Sequence, residues 1–370
     1  MSLDPILLTI WVKILIITYY TIITFVILKD ILKFKKNAGT WYNESVETNI
    51  VMIITIAFIT VFFVMKLDFS NLEEASPAFI LIPIILMATP PFLWLLIAIT
   101  SLYHKLQRNH KDFTRLSEVV EKRELDQKGK KKLNFYRKFF HAAIFIGILW
   151  ALAIIAPYQR KNEYEYTYFW GDFTGLVLRN YLEMSHPYSV AQGIIIIIFY
   201  IMSWLFLVTE TVRLSPRFHF PLGKILENTL RASELNAYAS YVHFSTGFLF
   251  ASLFLPPSLL LGCFSLFTFG DSMAASVGIR KGKHKIRVNP KKSWEGTITG
   301  FLASFLIAVP FVGLAWSLGG AIIFIIIDIF TPTPLPISDN ILVPILIPVL
   351  YWAFAMANIP ATCYILAFWQ

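Results

Sequence analysis

Long apolar segments follow one another along almost the whole chain, separated by polar loops. Nine of these segments approach or exceed the roughly 18–20 residues that cross a bilayer as a helix, and they cover 5–28, 49–65, 77–102, 139–156, 191–209, 241–255, 259–278, 297–318 and 341–369. A shorter stretch, 321–330, would complete a tenth. Because the runs are continuous and do not alternate with a period of two, they predict helices rather than membrane β-strands. The predicted fold class is an all-α polytopic transmembrane helix bundle with about 9–10 spans.

Composition supports a membrane protein. The chain is 56% hydrophobic and 15% charged, whereas soluble domains are about 45–50% apolar and about 25% charged. The first apolar run is too long for the core of a cleavable signal peptide, so we interpret it as a first span in which Lys13 reaches toward the surface or faces a polar interior. The two cysteines, Cys263 and Cys363, lie in apolar runs and form neither a disulfide framework nor a metal-ligand spacing.

Lysine and arginine are concentrated in alternate loops. Four lysines lie in 29–48, twelve Lys or Arg in 104–138 and seven in 280–292, whereas 66–76 and 158–190 hold few. The positive-inside rule then places the N-terminus outside and the loops 29–48, 104–138, 210–240 and 280–296 in the cytoplasm. Because this rule accounts for the net charge of +9, the sequence predicts the lipid bilayer as a partner and no nucleic acid.

The chain divides into three parts by composition. Residues 1–103 predict three N-terminal transmembrane helices without obvious chemistry, and 104–135 predict a basic cytoplasmic helix or loop. Residues 136–370 predict a second transmembrane domain, in which polar and ionisable residues lie at the edges of the spans. Charged groups at membrane depth are costly and tend to mark function. The candidate chemistry is therefore in this third part, around a cytoplasmic loop at 270–297.

The stretch 268–297 contains the groups that a nucleoside triphosphate site needs. Asp271 and Glu295 are candidate Mg²⁺ ligands, because this ion prefers one or two carboxylates together with phosphate oxygens. Lys291 and Lys292 can neutralise phosphates, and Gly296 opens a helix whose free N–H groups favour anions. No Walker A loop is present. The alternative is that these lysines only obey the positive-inside rule and that the aspartate caps a helix.

Three smaller groups accompany this stretch. Arg137 and His141 are four residues apart and share a helix face at the membrane surface, where a lipid hydroxyl or a phosphate would lie. Glu210 and Arg213 can pair at a spacing of three, and Asp339 opens the last apolar run. The alternatives are a membrane anchor for the first group, an internal ion pair for the second and a helix N-cap for the third.

Together these stretches resemble the polyprenol kinase family, which includes dolichol kinase, phytol kinase and the CTP-using diacylglycerol kinase of yeasts. The resemblance rests on five motifs in the family's order, over about 136–350: RKxxH at 137–141, ExxR at 210–213, GDxxAS at 270–276, KK[ST]xEGT at 291–297 and DNxxxP at 339–344. This chain departs from the pattern at Ala275, which is inserted in the third motif, and at Ser338, where family members often have an acid. Dolichol kinase is the member that it resembles most.

The resemblance implies a lipid-alcohol kinase that uses CTP and Mg²⁺. The acceptor would be dolichol or another polyprenol, then phytol or geranylgeraniol, then diacylglycerol, phosphorylated at the cytoplasmic face of the endoplasmic reticulum or of a prokaryotic plasma membrane. The implied catalytic residues are Asp271, Asp339, Arg137, His141 and Glu210, with Asp339 or Glu210 as the candidate base. The implied metal ligands are Asp271 and Glu295. The implied nucleotide-binding residues are Lys138, Gly270, Ser272, Gly278, Lys291, Lys292, Ser293, Glu295, Gly296, Thr297 and Asn340.

Other functions remain open at this point. Phosphatidate cytidylyltransferase also combines CTP, Mg²⁺ and a membrane lipid, but its HGG signature is absent from this sequence. A transporter would place its acids near the midplane, often with inverted repeats, whereas here the charges cluster toward one face and no repeat is visible. A non-catalytic scaffold is a further alternative. Asp328 is an intramembrane acid to which the sequence assigns no partner.

Overall fold

The computed structural model describes residues 5–36, 42–67, 81–106, 120, 122, 129, 133, 136–150, 188–214, 230–231, 234–235, 237–359 and 361. In these ranges the chain forms helices α1 (Pro5–Lys36), α2 (Tyr42–Lys66), α3 (Leu81–Leu106), α4 (136–150), α5 (Tyr188–Leu214), α6 (Ser240–Phe254), α7 (Pro257–Lys281), α8 (Trp294–Val312), α9 (Leu314–Phe330) and α10 (Asp339–Met356). A small antiparallel hairpin of β1 (Lys285–Ile286) and β2 (Asn289–Ser293) connects α7 to α8. The prediction of an all-α polytopic membrane bundle is confirmed.

Seven of the described helices are long and apolar enough to cross a membrane: α1, α2, α3, α5, α7, α8 and α10. Helix α9 is a shorter apolar helix of 17 residues, and α6 has 15. At 1.5 Å per residue these two are about 22–26 Å long, which is slightly less than the hydrocarbon thickness. Together with α4 they bring the bundle to the predicted number of helices.

One predicted span is wrong in its extent. The apolar run 297–318 is not a single helix, because α8 ends at Val312 and α9 begins at Leu314. Gly313 lies between them with a φ of 81°, a left-handed value that glycine adopts at little cost, and its N–H closes α8 on the carbonyl of Val309 at 2.9 Å. The predicted tenth span at 321–330 is confirmed as part of α9, which begins earlier than the apolar run indicated.

Polar contacts collect the helix termini at one end of the bundle, here called the charged end. Side-chain contacts link Tyr238 to Asp30, the N–H of Ser338 to Thr48, Lys138 to Asp271, and Thr297 to Asp328. The last turns of α1 and α9 therefore lie beside the first turns of α2, α4, α8 and α10, as successive crossings require. Except for 331–338, which contains no lysine or arginine, the loops at this end are the ones rich in these residues.

The bundle has one continuous apolar core that runs from α1 to α10. Helix α6 is almost wholly inside it, whereas α1, α2 and α3 keep large apolar side chains on the outer surface, among them Phe25 and Met65, which are 70% and 74% exposed. A bilayer would cover such a surface. The three N-terminal helices thus pack into the same core as the third part of the chain, with α2 against α6 and α3 against α5.

Helices α7 and α8 approach each other through small residues. A Cβ atom built on Gly296 would lie 2.6 Å from the carbonyl oxygen of Ala274 and 2.9 Å from the Cα of Gly278. A Cβ on Gly300 would lie 2.8 Å from the carbonyl oxygen of Gly270. Small residues of this kind allow two membrane helices to pack backbone against backbone. This contact fixes the segment between the two helices, which carries most of the predicted site.

We expect Gly296→Ala to lower thermal stability, because its methyl group would collide with backbone atoms that cannot move aside. The cost of such overpacking is about 1–3 kcal/mol. Gly147→Ala is the matched control, since no atom lies within 4 Å of the Cβ position there and alanine favours a helix over glycine by about 0.5–1 kcal/mol. Thermal unfolding of the two variants in detergent measures the difference. Equal melting temperatures would contradict the proposed backbone contact.

Candidate active site at the charged end

The first turn of α4 connects two other helices through its cations. The guanidinium of Arg137 donates to the hydroxyl of Ser240 at the start of α6 and lies 3.6 Å from a carboxylate oxygen of Glu234. The ammonium of Lys138 forms an ion pair with the carboxylate of Asp271 on α7. Both cations of the RKxxH motif are therefore largely buried and paired. The predicted proximity of this motif to Asp271 is observed.

Asp271 lies within α7 rather than at its end. The helix continues for ten more residues to Lys281, a rise of about 15 Å. The alternative that Asp271 is a helix cap is therefore excluded. The segment 282–293, here called the hairpin arm, joins α7 to α8. The carboxylate of Asp271 keeps 15% of its side chain exposed, so it is partly accessible to a ligand.

The segment before α6 holds a second carboxylate under strong positive influence. Glu234 accepts from the N–H of Arg231 at 2.8 Å and from the N–H of Ser240 at 3.1 Å. Burial by itself would raise the pKa of this carboxyl group. The charges of Arg137 and Arg231 and these hydrogen bonds have the larger, opposite effect, so the pKa falls to about 2. The group is ionised at neutral pH. Its contribution to stability is present above its unfolded pKa and is lost only as the pH falls toward 2.

The hairpin arm is anchored to the end of α9. The ammonium of Lys292 lies 2.5 Å from one carboxylate oxygen of Asp328, and the hydroxyl of Thr297 donates to the other oxygen, also at 2.5 Å. The side-chain amide of Asn289 donates to the carbonyls of Ile329 and Thr331 at 3.1 and 2.7 Å. Lys292 is therefore held over the bundle rather than extended into water. Thr297, predicted to hold a phosphate, directs its hydroxyl hydrogen to Asp328 instead.

Asp339 begins α10 among cations from several segments. Its carboxylate oxygen accepts from the amide of Asn340 at 2.9 Å, and Ser338 caps the helix. Four cations act electrostatically on this carboxylate: Lys292, Lys138, Arg231 and Arg137. Lys292, which is bonded to Asp328, is thus also one of the cations that act on Asp339. Four of the five motifs, all except ExxR, meet at this surface.

Glu295 has a different position from the one predicted. Its carboxylate accepts from the N–H groups of Lys283 and His284 at 3.1 and 3.0 Å and lies 2.7 Å from Nδ1 of His284. These contacts hold the turn that begins the hairpin arm. In the described part of the chain, no contact joins Glu295 to Asp271. Its predicted role as a metal ligand stays a prediction.

The charged end offers a modest set of metal ligands. Within the described ranges, no group of three or more His, Cys, Asp or Glu side chains is placed to hold a metal ion. Mg²⁺ at a nucleotide site needs only one or two carboxylates, because phosphate oxygens and water fill the remaining positions. The partly exposed carboxylate of Asp271 fits this requirement. A metal that arrives with its nucleotide is therefore compatible with the residues present.

The small residues of the predicted nucleotide site form the frame of the α7–α8 hairpin. Gly270, Gly278 and Gly296 lie at the contact of the two helices, and the hydroxyl of Ser293 caps α8 by accepting from the N–H of Gly296 at 3.3 Å. Ser272 donates to the carbonyl of Thr268 within its own helix at 2.5 Å. Lys291 is exposed on the arm and Asn340 is buried. Contacts of these residues with a nucleotide stay predictions.

His141 lies at the boundary between the charged end and an aromatic interior. Its ring stacks on Phe244 with centroids 4.5 Å apart and lies 5.3 Å from the ring of Phe267. Below them the rings of Phe248 and Phe264 are buried and 4.4 Å apart. Nδ1 of His141 has no hydrogen-bond partner among the residues that the structure describes. This nitrogen is available to a hydroxyl group that enters from the charged end.

Glu210 and Arg213 form a buried bidentate pair with N–O distances of 2.6 Å. Glu210 also accepts from the N–H of Ala239 at 2.8 Å and from the hydroxyl of Tyr241. Arg213 donates to the backbone carbonyls of Glu234, Leu235 and Ala237 at 2.6–2.9 Å. The pair ties α5 to the segment before α6. Because both carboxylate oxygens of Glu210 are occupied, the geometry favours a structural role over that of a base.

The sequence analysis missed several residues of the charged end. It left Asp328 without a partner, and it assigned no chemistry to 1–103, although Thr48 accepts from the N–H of Ser338 at 3.0 Å and Asn49 contacts Nε2 of His243 at 3.2 Å. The sequence signal for these contacts was the polar pair Thr48-Asn49 at the start of an apolar run. The predicted helix at 104–135 lies mostly outside the described residues, although Val120 packs against Leu230.

Comparison with known proteins relates the chain to one relative and to one family. The chain is 42% identical to a phytol kinase of Synechocystis over 79 residues, which are 21% of this chain and 33% of that protein. The aligned stretch thus spans a third of the length of this relative. No solved structure matches the chain significantly. The cytidylyltransferase family matches residues 131–356, more than half of the chain and the part that holds every predicted site residue. The chain therefore belongs to the cytidylyltransferase family.

Proposed function

We propose that the protein is a lipid-alcohol kinase of the membrane that transfers the γ-phosphoryl group of CTP to the hydroxyl group of an isoprenoid alcohol. The observation that carries this proposal is the meeting of Arg137, Lys138, Lys292, Asp271 and Asp339 at one surface next to the apolar interior. Phosphoryl transfer depends mainly on positioning and on neutralising charge. A surface of this kind supplies both at the depth where a lipid hydroxyl would lie.

The nature of the substrates rests on the comparisons together with the structure. The cytidylyltransferase family supports CTP as the nucleotide, and the similarity to a phytol kinase supports an isoprenoid alcohol over diacylglycerol. The walls below the charged end are aromatic and aliphatic and would accept a prenyl chain. We therefore propose a polyprenol such as dolichol as the first acceptor to examine, with phytol as the shorter alternative.

On the nucleotide side, the side chains of the arm and of α4 would hold the phosphates. Lys291 and Lys292 approach from the arm and Lys138 from below, next to Asp271. Asp271 would hold Mg²⁺, which would neutralise charge on the β- and γ-phosphates. The Lys138–Asp271 ion pair keeps both groups in place before the nucleotide arrives. A phosphate that bound the ammonium of Lys138 would free the carboxylate of Asp271 to hold Mg²⁺.

On the acceptor side, Arg137 and His141 would orient the lipid hydroxyl. The hydroxyl oxygen forms a bond to the γ-phosphorus while the bond from that phosphorus to the β-bridging oxygen breaks, and CDP leaves. Asp339 is the proposed acceptor of the hydroxyl proton. Because the transition state is loose, most of the stabilisation comes from the surrounding cations rather than from this proton transfer. The products are a lipid monophosphate and CDP.

The charged end is proposed to face the cytoplasm. The loops that join its helix termini carry most of the lysine and arginine of the chain, and such loops remain on the cytoplasmic side during insertion. CTP is a soluble nucleotide of that compartment. The same orientation brings the nucleotide and the lipid hydroxyl to one surface without moving either across the bilayer.

We expect the purified protein in detergent with Mg²⁺ to transfer label from γ-labelled CTP to a lipid alcohol. Polyprenol, phytol and diacylglycerol form the acceptor panel, and γ-labelled ATP should be the poorer donor. Asp271→Asn should lower the rate by on the order of 100-fold, because the carboxylate proposed to hold Mg²⁺ is lost. Absence of labelled lipid from every acceptor would overturn the kinase proposal.

A second function is favoured by the family to which the chain belongs, because a cytidylyltransferase transfers the nucleotidyl part of CTP. In that reaction the phosphate of phosphatidate attacks the α-phosphorus, and pyrophosphate leaves. The same assay separates the two reactions when α-labelled CTP and phosphatidate are included. Lipid that is labelled from the α-position would establish this alternative in place of the kinase.

The two candidate bases should respond differently to loss of charge. Asp339→Asn leaves the helix cap at Ser338 in place, so we expect an unchanged melting temperature and a kcat lowered by on the order of 100-fold. Glu210→Gln leaves the buried Arg213 unpaired, which costs about 3–5 kcal/mol, so the melting temperature should fall. Thermal unfolding and steady-state kinetics on both variants provide the comparison. A stable but inactive Glu210→Gln protein would reverse the assignment.

A further inference from the structure

The carboxylate of Asp328 occupies an unfavourable position. It lies in the last turn of α9, where the partial negative charge of the helix end opposes a carboxylate, and only 3% of the residue is exposed. Burying a charge is costly unless it is paired and hydrogen-bonded. An asparagine would avoid both costs. The presence of an acid here therefore calls for a role that requires the charge.

Two contacts define what this charge does. Lys292 donates to one carboxylate oxygen and Thr297 to the other, both at 2.5 Å. Thr297 is itself buried in the first turn of α8, so its hydroxyl fixes the orientation of the Asp328 carboxylate. The other oxygen then directs the ammonium of Lys292, whose side chain remains 25% exposed. The chain of contacts thus runs from a rigid helix to a partly accessible cation.

The position of Lys292 gives this chain of contacts its significance. Lysine has a long flexible stem, and a lysine on a solvent-exposed arm would ordinarily sample many rotamers. Here the ammonium is bonded to Asp328 on α9 and also acts electrostatically on the carboxylate of Asp339 on α10. It therefore belongs to the surface where the nucleotide phosphates are proposed to bind.

We propose that Asp328 is a positioning residue for the nucleotide phosphates, which acts by holding the ammonium of Lys292 over their binding surface. The proposal rests on the proposed function, because it requires a phosphate-bearing nucleotide at the charged end. Asp328 itself touches no substrate. Its effect should appear in the binding of the β- and γ-phosphates and leave the acceptor lipid unaffected.

Equilibrium binding to the full-length protein in detergent tests the proposal without requiring turnover. The probes are a CTP analogue with a non-hydrolysable β–γ bridge and CMP, which lacks both outer phosphates. We expect Asp328→Asn to weaken binding of the CTP analogue about 10- to 100-fold, which is the effect of losing a hydrogen bond between charged groups. Affinity for CMP should be unchanged. Asp30→Asn, which removes a carboxylate elsewhere at the charged end, is the matched control and should leave both affinities unchanged.

A double-mutant cycle identifies the group through which Asp328 acts. If it acts through Lys292, then Asp328→Asn should weaken analogue binding in the wild-type background and have little further effect in a Lys292→Met background. Additive losses would contradict the proposal. In kinetics, the KM for CTP should rise while the KM for the lipid alcohol stays the same. Asp328→Glu, which restores the charge, should recover part of the loss.

A gentler variant covers the case in which Asp328→Asn does not fold. Thr297→Val keeps the carboxylate of Asp328 but removes the hydroxyl that orients it. The affinity for the CTP analogue should therefore fall several-fold, while the affinity for CMP should not change. Thr299→Val is its control, because the hydroxyl of Thr299 bonds only to the carbonyl of Glu295 in its own helix at 2.6 Å among the described contacts. Equal effects of the two valines would overturn the inference.

The outcomes also distinguish this inference from the proposed function. A wild-type protein that binds the analogue but gives the same affinity in Asp328→Asn would overturn the role of Asp328 alone. A loss of CMP and analogue binding in equal measure would assign Asp328 to general structure and would likewise overturn the positioning role. A wild-type protein that binds neither probe would overturn the nucleotide site itself, and the inference with it.

Discussion

The close approach of α7 and α8 is the constraint on which the site depends. Gly270, Ala274 and Gly278 face Gly296 and Gly300, so that the two backbones are separated by less than a methyl group allows. In a bilayer this contact gains from dispersion and from close packing rather than from exclusion of water. Because the helices are so close, the segment between them must turn back at once, and the two short strands accomplish this. The arm, with Lys292 at its end, is therefore held at the charged end, where Lys292 meets Asp328.

Charge pairing then determines how the rest of the bundle closes around this hairpin. Two cations at the charged end meet carboxylates of other elements: Lys138 meets Asp271 and Lys292 meets Asp328. The attraction within such a pair is largely offset by the cost of removing both charges from water, so the pair adds little stability. Breaking the pair, however, leaves an uncompensated buried charge. These pairs consequently specify which helix termini can be neighbours. A bound nucleotide would replace Asp271 as the partner of Lys138 with phosphate oxygens, without leaving that cation unpaired.

The sequence predicts the helices well because apolar runs of membrane length have few alternatives. It misplaces the end of α8 because Gly313 lies inside a continuous apolar run, and the run does not show that its φ is positive. The spacing of Glu210 and Arg213 also predicts their pairing. The partners of Asp328 and Glu295 could not be predicted, since Asp328 meets Lys292 across 36 positions and the carboxylate of Glu295 turns back to the arm. Such pairings depend on how helices pack, which a single sequence does not specify.

The boundary at His141 would explain how one surface could serve the two proposed substrates, which are opposite in character. Above it lie the cations that suit phosphates, and below it the closely packed rings of Phe244 and Phe267 exclude water. A lipid alcohol is amphipathic in the same sense, with one hydroxyl at the end of an apolar chain. Its hydroxyl is most stable where the apolar interior ends and hydrogen-bond partners begin, and Nδ1 of His141 lies at that level. Because the apolar chain of the alcohol would stay in the apolar interior, its hydroxyl oxygen would lie at the level of the phosphates.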